Sequence, residues 1–208
     1  METTQSQASP PRYRLGDADL ECHYPVLVGD QYIGRIFRWH GAWRAVAAGS
    51  DDEVRVAEGR IGKNAAALYL VDEADAGRIA PLDEAESVAQ APALYGPVPL
   101  LHWRLPATDS NKKRAQEVMD LLAVYRWWPK GGYSGSDNPM FLECELCGKW
   151  RGPRYWSHLR GRNNQPPSPF RHPGGCIGAD KVRASIPAYQ QQPEVNAGEA
   201  EKTASVSQ

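Results

Sequence analysis

The residues able to do chemistry crowd into one stretch. From Cys144 to Cys176 the chain reads CELCGKWRGPRYWSHLRGRNNQPPSPFRHPGGC, which holds three of its four cysteines and two of its five histidines. As spacing, this is Cys144-x2-Cys147-x10-His158-x13-His172-x3-Cys176. Thiolates and imidazoles are the ligands that Zn2+ prefers, and a structural site takes four of them tetrahedrally. The two-residue gap in CELCG lets both sulfurs face one ion from a tight turn, and Gly148 relieves the backbone crowding of such a knuckle. HPGGC supplies a second close pair, with Pro173 and two glycines to bend the chain. Five candidates compete for four places. Two short chelate loops lose less chain entropy than any set with isolated ligands, which favours Cys144, Cys147, His172 and Cys176, with His158 in reserve.

Zn2+ is therefore the expected cofactor. A structural zinc contributes on the order of 10 kcal/mol, enough to hold together a segment this poor in aliphatic residues. A redox role for CELC is disfavoured because no βαβ pattern surrounds it. Cys22-His23, far upstream beside Tyr24-Pro25, is a lone pair and is set aside.

Charge singles out the same region. Residues 1–125 carry 13 Lys+Arg against 18 Asp+Glu, residues 126–183 carry 10 against 4, and the tail carries 1 against 3. Only the region with the Cys/His cluster is basic, which suits a module that contacts phosphates. Trp127, Trp128, Tyr133, Trp150, Tyr155 and Trp156 are interleaved there with Arg151, Arg154, Arg160 and Arg162. Trp150 and Trp156 are expected in the core of a small zinc module. Arg154, Arg160 and Arg162, in RYWSHLRGR, are the expected phosphate contacts. The longest apolar run, AAALYLV (65–71), is too short to cross a bilayer, and no membrane partner is expected. METTQSQASPPRYR lacks the apolar block of a secretory signal, so the expected location is the cytoplasm, where thiols stay reduced.

The elements that must position the cluster follow from pattern. Residues 1–20 are polar and Pro-containing, and are expected to be disordered. Residues 31–40, 42–49 and 53–61 have the β-branched and aromatic content of strands, separated by Gly41 and GSDD. NAAALYLVDEADAG (64–77) reads as a helix with Asn64 as N-cap and Gly77 as stop; Ala65, Leu68 and Val71 would cover the sheet. Residues 21–77 thus form a small ββα-type domain. With Pro at 81, 92, 97, 99 and 106, residues 78–108 read as a linker. DSNKKRAQEVMDLLAVYRWW (109–128) is the strongest helix pattern, capped by Asp109 or Ser110, with Ala115, Val118, Met119, Leu122 and Tyr125 on one side. Residues 109–189 form a helix plus the zinc-binding module, ending in a helix over 176–189 that Pro187 should stop. Residues 190–208 form a disordered tail. The expected class is α+β: a small three-stranded sheet plus helix, then a helix and a zinc-stabilised, treble-clef-like module.

Three resemblances arise on these residues. CELCGKW…SHLRGR resembles the prokaryotic Ros-type zinc-finger regulators, which implies DNA binding by a CxxC knuckle and a following helix. It departs where that family places a second histidine, since Leu159 to Gln165 contain none. The same stretch resembles the treble-clef frame of HNH nucleases, which implies His158 as general base beside a catalytic metal, with Asn163 or Asn164 behind it. Ser157 stands where that family has an acidic residue. YIGRIFRWHGAWRAVAAG…VAEGRIGKNAAALYL is similar to the three-stranded, one-helix DNA-binding domains of phage integrase arms and plant ethylene-response factors, which implies Arg35, Arg38 and Arg44 as groove readers. Together these lead to the expectation of a zinc-binding, non-enzymatic DNA-binding protein, a small prokaryotic regulator or mobile-element accessory factor. An HNH-like nuclease using His158 is the alternative, and a zinc-shaped protein-interaction module is the third.

Overall fold

The computed structural model of the chain describes residues 11–59, 61–83, 97–162 and 165–190. The fold is mixed helix and antiparallel sheet, as an α+β class requires. The first sheet comprises β1 (Arg14–Leu15), β2 (Tyr24–Val28), β3 (Gln31–Trp39), β4 (Ala42–Ala47) and β5 (Val54–Glu58), in that order. A short β6 (Leu82–Asp83) pairs with Gln31 and Tyr32 of β3, on the side that β4 leaves once Ala47 has paired with Gly34. The sheet therefore has six strands, not three. The extra strands escape the pattern because β1 and β6 are two residues long and β2 contains Pro25 and a bulge at Val26/Leu27.

Helix α1 (Gly62–Asp75) covers one face of this sheet. Its buried side is Gly62, Ala66, Ala67, Leu70 and Val71; Ala65 and Leu68 lie at the margin of that face rather than at its centre. Asn64 is not the N-cap: Ile61 holds that position without a side-chain bond, and Asn64 Oδ1 instead accepts from Tyr13 at 2.5 Å. Close approach of α1 depends on Gly34, which has φ +145° and lies where a Cβ would strike the Val46 carbonyl and come within 3.1 Å of Leu70. Of the segment expected to be disordered, residues 1–10 lie outside the described residues. Residues 11–20 are ordered: β1 pairs with β2, and Arg12 reaches Asp72 and Asp75 at 3.0 and 2.8 Å.

The stretch read as a linker is also structured where it is described. Beyond β6, residues 84–96 lie outside the described residues, but Leu100 to Leu105 are built into the fold. Leu100 O accepts from Tyr133 N, and His102 N donates to Tyr133 O, both at 3.0 Å. Trp103 Nε1 donates to Glu21 at 2.8 Å, and Arg104 pairs with Glu53 at 2.5 Å. Asn138 adds a further tie, accepting from His40 N at 2.7 Å. These polar bonds seat the 100–105 segment between the first sheet and the C-terminal unit.

Helix α2 (Asp109–Val124) is capped by Thr108, whose hydroxyl accepts from Asn111 N at 3.2 Å, rather than by Asp109 or Ser110. It buries Ala115, Val118 and Leu122. It ends earlier than its pattern suggests, because Arg126 adopts φ +56° and redirects Trp127 into β7 (Trp127–Pro129). β7, β8 (Pro139–Cys144) and β9 (Arg151–Tyr155) form a three-stranded antiparallel sheet in chain order. The four-residue α3 (Trp156–Leu159) follows directly. Gly178, at φ +93°, delays the last helix, so α4 spans Ala179–Ser185, with a 3-10 turn at Pro187–Tyr189. Ala115, Val118, Leu122, Trp127, Leu142, Trp156, Val182 and Ile186 form one core. No helix among the described residues is long and apolar enough to cross a membrane.

Candidate metal centre

Strand pairing places the first ligand. Cys144 ends β8, opposite Trp127, and is fully buried. Its N–H donates to Trp150 O and its carbonyl accepts from Gly148 N, both at 2.9 Å, closing a tight turn that brings Cys147 back over Cys144. Gly148 makes the turn possible at φ +61°, a region that residues with a Cβ adopt rarely. The second pair arrives from the loop before α4. Gly174 and Gly175 have φ near +80°, and Gly175 N donates to His172 O at 3.2 Å. Cys176 lies three residues ahead of Ala179, so these ligands sit in the loop and not in the helix itself.

The structure brings together the four residues favoured by spacing. The ligand atoms of Cys144, Cys147, His172 and Cys176 all lie within 4.8 Å of one another, and the group could hold a metal ion. The Cys144 and Cys176 sulfurs are 3.7 Å apart, and Cys147 Sγ is 3.4 Å from His172 Nε2. A tetrahedral ion with metal–sulfur bonds of about 2.3 Å and a metal–nitrogen bond of about 2.1 Å requires edges of about 3.8 and 3.6 Å. The donor set therefore fits an ion with little rearrangement. His172 Nδ1 faces Pro173 O at 3.0 Å, which orients the ring and leaves Nε2 for the metal.

The protonation of the thiols differs across the site. Burial would raise the Cys147 thiol, but the N–H groups of Lys149 and Trp150, with His172 and Cys144 beside it, outweigh burial and lower it to about 6. Burial pushes Cys176 up to about 11, with the sulfurs of Cys144 and Cys147 adding to the shift against a bond from Ile177 N. The Cys147 thiol is thus the readier of the two to lose its proton, and the Cys176 thiol the more reluctant.

Spacing did not reveal the site's counter-charge. Arg171 is only 2% exposed. Its Nε donates to Cys144 Sγ at 3.1 Å, and its two terminal nitrogens donate to Tyr125 O at 2.6 Å and Arg126 O at 2.8 Å. The guanidinium lies 4.1 Å from the centre of the Trp127 ring. Three thiolates and a neutral imidazole around a divalent ion would leave a net charge of about −1, which this buried cation would cancel. Trp150 stacks on the His172 ring at 4.9 Å and 6°, and Trp127 meets His172 edge-on at 6.5 Å. A lone arginine beside a ligand histidine carries no sequence signature of such a role; only the fold shows where it points.

The other sequence candidates fall elsewhere. Exposed on α3, His158 is outside the four-residue group and meets Tyr155 edge-on at 5.8 Å. Burial and the charges of Arg154 and Arg162 lower its pKa, and it has no carboxylate partner among the described residues. Asn163 and Asn164 lie outside the described residues. His23 is buried against Phe37 and bonded to Asp19 at 3.2 Å, so Cys22-His23 does not join the cluster. Trp156 is core, as expected, while Trp150 is half-buried as the platform under His172. Arg154 is half-buried on β9, and Arg160 and Arg162 are exposed. In the first sheet, Arg44 pairs with Glu53 at 3.4 Å. The chain matches no protein-family model, no curated protein and no solved structure.

Proposed function

We propose that the chain is a zinc-stabilised, treble-clef-like DNA-binding protein without catalytic activity of its own, of the kind found among small prokaryotic regulators and mobile-element accessory factors in the cytoplasm. The carrying observation is the closed set of four donors, Cys144, Cys147, His172 and Cys176, inside the only basic region of the chain. Three sulfurs and one imidazole match zinc better than the oxygen-rich sites of magnesium or calcium. Four protein ligands leave no open position for substrate or water, which makes the ion a clamp. It ties the β8–β9 turn to the loop before α4 and so presents Arg154 of β9 and the arginines that follow α3. Arg154, Arg160 and Arg162 make no ion pair with a carboxylate among the described residues, so their charge is free for phosphates.

The test is DNA binding followed against salt and chelator. The purified protein is expected to carry one zinc per chain, to bind duplex DNA with an affinity that falls steeply with salt, and to lose binding when zinc is stripped. Salt-insensitive or absent binding overturns the reading. Retention of a protein partner with no nucleic acid transfers the module to protein docking.

A further inference from the structure

We propose that the nucleic-acid surface is composite: Arg38 of β3 and Lys63 of α1 join Arg154 and Arg162 in one cationic stripe that grips the phosphate backbone of duplex DNA. This rests on the proposed function and extends the surface onto the acidic N-terminal unit, where charge counting alone would not look for it.

Two tyrosines carry the stripe across the two units. The Arg38 guanidinium lies 5.2 Å from the centre of the Tyr155 ring, which belongs to β9. Tyr155 in turn meets His158 edge-on, and Arg154 and Arg162 are near enough to act electrostatically on that histidine. On the sheet side, Lys63 Nζ sits 3.4 Å over the ring of Tyr24. Tyr24 pairs with Ile36, two residues along β3 from Arg38, and a two-residue step keeps Ile36 and Arg38 on one face. The Tyr24 and Tyr155 phenols are close enough to interact, a contribution to the raised Tyr24 pKa that follows burial and Cys22.

The charges in the stripe are uncompensated. Among the described residues, Arg38, Lys63, Arg154 and Arg162 have no carboxylate partner, whereas Arg44, Arg78, Arg104 and Lys130 each have one. The Nε atoms of Arg38 and Arg154, like those of Arg35 and Arg44, are enclosed without a hydrogen bond. Half-buried cations without counter-ions are costly, and an external polyanion supplies what the fold withholds. Burial, and then the charge of Arg171, lowers the Arg154 pKa.

The ring contacts decide which form of nucleic acid fits. Single strands bind by laying unstacked bases on free aromatic faces. Here each of the two tyrosines carries a cation over one face, which fixes the cation in place. Phosphate contact by fixed cations is indifferent to sequence and compatible with an intact duplex.

The experiment measures binding of a short duplex of arbitrary sequence to the zinc-loaded full chain, by fluorescence anisotropy over a range of salt. One lost phosphate contact reduces the slope of log K against log salt by about 0.9, equivalent to about fivefold weaker binding at about 0.15 M. Arg38→Gln, Lys63→Gln and Arg154→Gln are each expected to show that loss, and Arg38→Lys to restore the slope. Zinc content and the thermal midpoint confirm folding, and Lys63→Gln, on a different element from Arg38, gives an independent reading. Wild-type binding by both Arg38→Gln and Lys63→Gln, with weakening in Arg160→Gln and Arg162→Gln, would overturn the composite surface yet leave the DNA-binding function standing. Tighter binding to a single strand than to the duplex overturns it as well. No DNA binding by the wild type removes both.

Discussion

Arg171 offers the sharpest test of how the metal centre is built. Replacing it by Met keeps the volume and removes the charge. The fold then loses three bonds from one guanidinium, to Cys144 Sγ, Tyr125 O and Arg126 O at 3.1, 2.6 and 2.8 Å. The buried Tyr125 carbonyl loses its donor, the Arg126 carbonyl keeps only the bond from Glu145 N at 3.3 Å, and a metal–thiolate group there would keep an uncancelled negative charge. Each charged hydrogen bond is worth about 1.5–3 kcal/mol, and removing one partner of a buried charge pair costs about 3–5 kcal/mol. Because these overlap, the expected total is about 4 kcal/mol, divided between folding and metal affinity. Removal of such an outer-shell partner weakens metal binding by about 10–100-fold. Competition with a chromophoric zinc chelator measures the affinity, and thermal unfolding of the zinc-loaded protein measures the remainder. Arg171→Lys keeps the charge but cannot span the three acceptors, and should fall between wild type and Arg171→Met. If Arg171→Met holds zinc as tightly as wild type and unfolds at the same temperature, the charge-cancelling role is wrong.

Further predictions concern the ligands and the scaffold. His172→Ala should lower zinc content or affinity while His158→Ala leaves both unchanged, as measured by metal analysis of the purified variants; the reverse outcome would make His158 the ligand. In zinc-free protein at neutral pH, iodoacetamide should modify Cys147 well before Cys176, since one thiol is held near 6 and the other near 11, and peptide mass mapping reports the order. As the pH falls through that lower value, protons reclaim the Cys147 thiolate, so zinc affinity should drop with acid and recover on neutralisation. Gly34→Ala should destabilise the N-terminal sheet by about 2–4 kcal/mol, because its φ of +145° and the Val46 carbonyl leave no room for a Cβ; unchanged thermal unfolding would show that α1 can move away.

The candidate ligand set was legible because it is local. Cys144 and Cys147 belong to one turn and His172 and Cys176 to one loop, so short chelate spacing ranked them before any fold was known. The strands at 31–39, 42–47 and 54–58 and the buried side of α2 were legible for the same reason: periodicity is a short-range property. Helix ends were less so. Thr108 took the cap from Asp109 and Ser110, and Arg126 ended α2 early, because strand pairing of Trp127 with Cys144 decided that boundary.

What only the tertiary structure decided concerns partners far apart in the chain. Arg171 reaches Tyr125 and Cys144 across 46 and 27 positions, and Arg38 meets Tyr155 across more than a hundred. By itself, the sequence determined which atoms could bind a metal, through the entropy of closing short loops. Folding determined which charge would balance a metal there and which cations have no counter-ion among the described residues, because Coulomb forces act through space and the arrangement of the elements sets those distances.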